Sequence, residues 1–157
     1  MNRIDISAEE VPLPAWVHAA RSFVLKTLRI LRHNNWDVSI LFCNDAFIRI
    51  LNKKYRYKNT ATDVLSFPIG DFIIENGKKR YISGDIIISL ETLPVNAAYF
   101  GLSEDEELRR LLVHGLLHLA GFNHVKNDIN TAILAVEPML SIQESILIKL
   151  KEEKILC

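Results

Sequence analysis

The chain has 157 residues, 49% apolar and 24% charged, close to one ordinary soluble domain and far from the composition of a disordered chain. Its 19 basic and 19 acidic residues cancel, which excludes a global field for nucleic acid or membrane; polyanion binding must come from a local patch. No stretch nears the roughly 20 apolar residues that span a bilayer, the first residues lack the basic-then-apolar order of a signal peptide, and two cysteines, Cys43 and Cys157, exclude a disulfide scaffold and point to a reducing cytoplasm.

No repeat, low-complexity segment or linker interrupts the chain, so a single domain spans residues 1–157. Alternation of Ile4 and Ile6 with Arg3 and Asp5 predicts a strand over Asn2–Ser7. Pro12 and Pro14 precede a helical pattern from Ala15 to about His33 carrying Trp16, Phe23, Leu28 and Leu31. Trp36–Cys43 reads as a strand in which Cys43 packs as a small hydrophobe. Asn44-Asp45 can cap a helix carrying Phe47, Ile48, Leu51 and Tyr55. Thr62–Ile69 is a further strand, its final residues placed on an edge by Pro68. Phe72–Glu75 and Lys79–Ser89 flank Asn76-Gly77, a strong hairpin signal. Leu90–Phe100 reads as a helix interrupted by Pro94. Ser103 and Glu106 have capping-box spacing ahead of an apolar helix from Glu104 to about Ala120, which Gly121 can end. Pro138 suits the first turn of a last helix reaching about Lys154. Helices and strands mix without strict alternation, which predicts an α+β fold: one domain, with a small mixed β-sheet packed with helices.

Three of the five histidines fall between His114 and His124. His114 and His118, four apart, stack on one helix face about 6 Å apart at Cβ, and a turn at Gly121 could return His124 over that face. Three imidazoles with a fourth position open is the arrangement of a catalytic zinc site. The competing reading is a set of core histidines satisfied by local hydrogen bonds. It is weakened because Leu111–Phe122 carries no charged side chain. A helix apolar nearly all round is buried, and two adjacent buried imidazoles need partners. Neutral nitrogens suit a borderline-soft metal, Zn2+ with Ni2+ as the alternative, so this is also the expected buried metal-binding helix. The spacing matches metzincin peptidases as well. Their general base follows the first histidine, however, and Gly115 stands there. Glycine inside a helix costs about 1 kcal/mol against alanine; close approach of another backbone or of a substrate would explain it.

Lys53-Lys54-Tyr55-Arg56-Tyr57-Lys58 interleaves four cations with two tyrosines. A guanidinium can clamp phosphate oxygens bidentately, and aromatic rings can stack unpaired bases. The alternative is a solvated helix C-terminus, where cations complement the dipole. Lys78-Lys79-Arg80 reads as a charged hairpin that keeps an edge soluble, and Glu104–Glu107 as acids complementing a helix start. His18 and His33 are isolated and read as surface or packing residues.

Three blocks in order, Leu51 to Pro68, Gly84 to Ser89 and His114 to His124, resemble the YbeY endoribonucleases, rRNA maturation factors, over about residues 38–150. The resemblance implies an α+β fold in which the histidine helix and its turn hold one zinc ion at the end of a cleft. It implies a metal-dependent, single-strand-directed endoribonuclease acting in the cytoplasm on the 3′ end of small-subunit rRNA and in ribosome quality control. By position, His114, His118 and His124 become the zinc ligands, and Arg56 joins His114 as a residue needed for catalysis. Asn123 stands where the family has aspartate, which bears on the groups that orient His124. Asn59 and Ala61 stand where aspartate and proline are common.

Hydrolysis of an RNA phosphodiester is therefore expected, with Arg56 neutralising charge on the phosphorane oxygens. Lys58, Lys54 and Tyr55 would guide the strand. Asp63 and Asp85 are candidates to support the ligands, against plainer capping or turn roles. The expected partners are single-stranded RNA, ribosomal RNA and the ribosome or its small subunit, with no DNA and no membrane. Two rival readings stand beside this one: a ribosome-associated RNA-binding factor with a mainly structural metal, and a zinc peptidase of metzincin type.

Overall fold

A computed structural model describes residues 1–122 and 129–156, with side chains described through 122 and from 138 to 156. In chain order the elements are β1 (Arg3–Ala8), α1 (Val17–Ile30), β2 (Trp36–Cys43), α2 (Asp45–Arg56), β3 (Val64–Glu75), β4 (Lys78–Ser89), α3 (Thr92–Phe100), α4 (Glu104–Leu119) and α5 (Ile129–Lys149). The sheet order is β1-β2-β4-β3. β1, β2 and β4 run parallel, and β3 lies antiparallel against β4 as an outer strand. Parallel neighbours need long crossovers, and α1 supplies the one from β1 to β2. The architecture is the α+β domain with a small mixed sheet that the sequence predicts.

Strand pleating sorts the residues into two layers. On one face Ile4, Ile6, Val38, Ile40, Ile86 and Ile88 pack with Phe23, Val24 and Leu28 of α1 and with Leu108, Leu112 and Leu116 of α4. On the other face a smaller cluster joins Cys43, Leu65 and Ile87 to Ile48 of α2. Cys43 is buried there, and desolvation pushes its thiol up to about 12, with the charge of Asp45 adding to the effect. It is a packing residue.

Local chemistry sets the element ends. The Asn44 side chain accepts the Phe47 N–H at 2.9 Å, capping α2. Ser103 and Glu106 form both bonds of the capping box at the start of α4. Asn76 and Gly77, at φ 50° and 75°, supply the two left-handed residues that a tight type I′ hairpin turn requires.

The structure corrects the sequence reading at three places and extends it at a fourth, the acids in the first turn of α4. Thr62–Ile69 and Phe72–Glu75 are parts of one strand, β3, whose pairing with β4 shifts register between Pro68 and Asp71. An outer strand tolerates a proline with its missing N–H turned away from the ladder, so Pro68 marks an irregularity and not an end. The last helix runs Ile129–Lys149 with Pro138 inside it, instead of starting at that proline. Arg80 is not a solubilising charge: it is buried, and its Nε donates to Asp37 at 2.9 Å across the sheet. Asp105 and Glu107 are also buried. Asp105 pairs with Arg109 at 2.8 Å and accepts the backbone N–H groups of Ile155 and Leu156 at 2.7 and 2.8 Å, so it ties the chain's last described residues to α4.

No helix among the described residues is long and apolar enough to cross a membrane.

Candidate metal and RNA site

α4 presents His114 and His118 one turn apart, as four-residue helical spacing requires. Their ring centroids are 4.5 Å apart, and Nε2 of one lies 3.0 Å from Nε2 of the other. Both rings are half-buried. Nδ1 of His114 is 3.1 Å from Oε1 of Gln143 on α5.

Gly115 between them lets the helix sit close to the sheet. A Cβ at that position would come 2.9 Å from Cδ1 and 3.0 Å from Cγ2 of Ile86. The neighbour that excludes a side chain is therefore a core isoleucine, neither backbone nor substrate. Farther along the contact, Gly84 of β4 has φ 141°, and a Cβ there would lie 2.2 Å from the Phe67 carbonyl oxygen and 2.9 Å from Leu119.

The second wall comes from the end of α2. Tyr57 closes the helix in the left-handed conformation, φ 61°, its N–H returning to the Asn52 carbonyl. The Lys58 N–H reaches the same carbonyl at 3.3 Å, while the Asn52 amide donates to the Thr60 carbonyl at 2.9 Å. Asn52 is only 4% exposed, so one buried amide shapes the loop from 57 to 60. Arg56 leaves the last turn of α2 and donates from Nη2 to the Ser66 carbonyl of β3 at 2.7 Å. Its guanidinium lies 5.4 Å from the Phe67 ring centroid, against which Tyr55 also packs edge-on.

An open cleft of about 760 Å³ lies between these walls, lined by Tyr55, Arg56, Tyr57 and Lys58 on one side and by His114 and His118 on the other. Val64, Leu65 and Ser66 of β3 contribute to the lining. Sequence segments about 60 residues apart, the basic-aromatic run and the histidine helix, thus face one space. Lys54 does not line it; its ammonium sits 5.2 Å from the Tyr55 ring centroid. Asp63 does not line it either. Its carboxylate accepts the Val64 N–H at 2.8 Å and the Asn96 amide at 3.1 Å, a capping arrangement at the start of β3. Asp85 lies on β4 away from the cleft, its carboxyl raised by burial and lowered in part by a hydrogen bond with Ser39. His124 and Asn123 lie outside the described residues.

The histidine pair fits a zinc ion on the chemistry of its donors. Two nitrogens bound at about 2.05 Å in tetrahedral geometry lie about 3.3 Å apart, close to the 3.0 Å between the two Nε2 atoms. With a carbonyl at Nδ1 of His114, the Nδ1–H tautomer leaves Nε2 of that ring as the acceptor in its contact with His118.

Gln143, which contacts His114, escapes a reading by sequence motif. Gln143 lies on a helical stripe with Met139, Ile146 and Leu150, all buried, and a polar residue on an apolar stripe is the only available signal. Glu107 sits two turns before His114 on α4 and is 4% exposed. Burial raises its carboxyl above the usual range, the charge of Asp63 adds to the rise, and Arg110 opposes it.

Comparison with known proteins bears on what this site does. Residues 2–151 match the protein family described as Endoribonuclease YbeY. The chain is 43% identical over 157 residues to Endoribonuclease YbeY of Treponema denticola, covering 98% of this chain and 97% of that one. It is 39% identical over 148 residues to Endoribonuclease YbeY of Treponema pallidum, covering 94% and 89%. The solution structure of TM1509 from Thermotoga maritima shares the fold, with a TM-score of 0.54 at 23% identity over 95% of this chain and 92% of that one.

Proposed function

Because this chain belongs to the YbeY endoribonucleases, hydrolases acting on RNA, we propose that it is a zinc-dependent, single-strand-specific endoribonuclease of ribosomal RNA. Its substrate on this reading is the 3′ end of small-subunit rRNA in the cytoplasm, with ribosome quality control as a second outlet. The observation that carries the reading is the approach of the two Nε2 atoms to 3.0 Å in the cleft that also holds Arg56. His114, His118 and His124 would hold the ion, Zn2+ or Ni2+. When bound, it supplies Lewis acidity at the scissile phosphate.

The remaining work falls to side chains of the chain itself. Arg56 is oriented by the Ser66 carbonyl and the Phe67 ring and keeps further N–H donors for phosphate oxygens. Lys58 adds a charge on the same wall, and Lys54 one just outside it. Tyr55 and Tyr57, the latter 90% exposed, offer faces on which unpaired bases can stack. A duplex keeps its bases paired and stacked and cannot use those faces, which supports single-strand preference. A peptidase reading lacks its general base, since Gly115 occupies that place and Ile86 fills the space beside it.

Protein purified without chelator is expected to hold about one zinc per chain and to cut single-stranded RNA but not duplex. His114→Ala should lose both metal and cleavage while remaining folded. A His114→Ala protein that still cuts RNA overturns the reading. One that loses metal and cleavage yet still associates with ribosomes and restores their maturation supports the RNA-binding factor instead.

A further inference from the structure

We infer that Gln143 is the positioning residue of the histidine pair: its side-chain carbonyl selects the tautomer in which His114 turns the Nε2 lone pair toward His118 and the cleft. The inference rests on the reading of His114 as a metal ligand.

A neutral imidazole has one N–H and one lone pair. Oε1 of Gln143, 3.1 Å from Nδ1, can only accept, so the proton sits on Nδ1 and the lone pair on Nε2. With the amide in this orientation, the opposite tautomer would set a lone pair against the carbonyl oxygen, at a cost of about 1–3 kcal/mol. Gln143 is itself held in place. It is 7% exposed and lies on the buried stripe of α5 between Met139 and Ile146. The next residue, Glu144, pairs with Arg110, one helical turn before His114 on α4. Arg110–Glu144 and His114–Gln143 are therefore two adjacent braces between α4 and α5, one at the surface and one at the site.

Groups that receive the second N–H of a ligating histidine are carboxylates, carbonyls or waters, and losing one weakens metal binding by roughly 10- to 100-fold. The amide here orients the ring without adding negative charge. This chain thus has room for tighter binding through one substitution.

The test uses full-length protein, its Gln143→Leu and Gln143→Glu variants, and two readouts. Nitrogen-15 spectra of the metal-free protein report the His114 tautomer, expected as Nδ1–H in the parent and mixed or inverted in Gln143→Leu. Competition with a chromophoric chelator reports Zn2+ affinity, expected to fall by roughly 10- to 100-fold in Gln143→Leu and to match or exceed the parent in Gln143→Glu. Thermal unfolding confirms that both variants are folded. Unchanged tautomer and unchanged affinity in folded Gln143→Leu overturn the inference. If the parent takes up no zinc, the metal reading fails, and the tautomer measurement alone decides whether Gln143 positions the ring.

Discussion

Ile86 of β4 occupies the space that a side chain at Gly115 of α4 would need, its Cδ1 lying 2.9 Å from where a Cβ would stand. Helix propensity favours alanine over glycine by about 1 kcal/mol, but overpacking a core costs about 1–3 kcal/mol. Ile86 is fully buried and has little room to yield. Gly115→Ala is therefore expected to lose about 1 kcal/mol net in urea unfolding, with RNA cleavage reduced because His114 is the adjacent residue. Ile86→Val in the same protein should recover part of the loss. Additive effects of the two substitutions would show that this contact does not set the helix position.

Arg56 is exposed and anchored by one carbonyl, so its replacement should leave stability within about 0.5 kcal/mol. Arg56→Glu is expected to retain zinc and fold and to lose about 100-fold or more in kcat/KM on a single-stranded oligonucleotide. Arg56→Lys keeps the charge but not the planar fork that reaches carbonyl and phosphate together, and should fall between. Cleavage by Arg56→Glu at the parent rate would remove the phosphate-clamp role.

Glu107 makes stability depend on pH in an unusual direction. Its folded-state carboxyl lies above the ordinary 4.5, chiefly through burial, so the folded protein binds this proton more tightly than the unfolded chain. The resulting stabilisation is fully present below the ordinary value and is lost as pH rises through the folded one. Glu107→Gln should therefore raise the melting temperature at about pH 8 and leave it unchanged at about pH 4. A gain of equal size at both pH values would assign the effect to packing alone.

Much of the architecture is legible where one local rule decides. Trp36–Cys43 has the same bounds in sequence and structure because a strand between parallel neighbours carries a long apolar run, broken here by Asp37 and Ser39 alone. Asn76-Gly77 and the Ser103–Glu106 box are complete within a few residues. The continuity of β3 past Pro68 is set instead by pairing with β4, and the burial of Arg80 by Asp37 on another strand. Four-residue spacing brings His114 and His118 together on any helix. Their place opposite Arg56 depends on how α2, β3 and α4 assemble, and Gln143 reaches the pair only through the docking of α5. The position of His124 lies outside the described residues.

Gly84 and Gly115 are both held to hydrogen in place of a side chain, but by different kinds of obstacle. At Gly115 the obstruction is the removable end of another residue, so a compensating pair of changes gives that position an evolutionary exit. At Gly84 it is the Phe67 carbonyl oxygen, 2.2 Å away, in a left-handed stretch of backbone, and no exchange of a neighbouring side chain can move it. A lineage can drift at the first position and is trapped at the second.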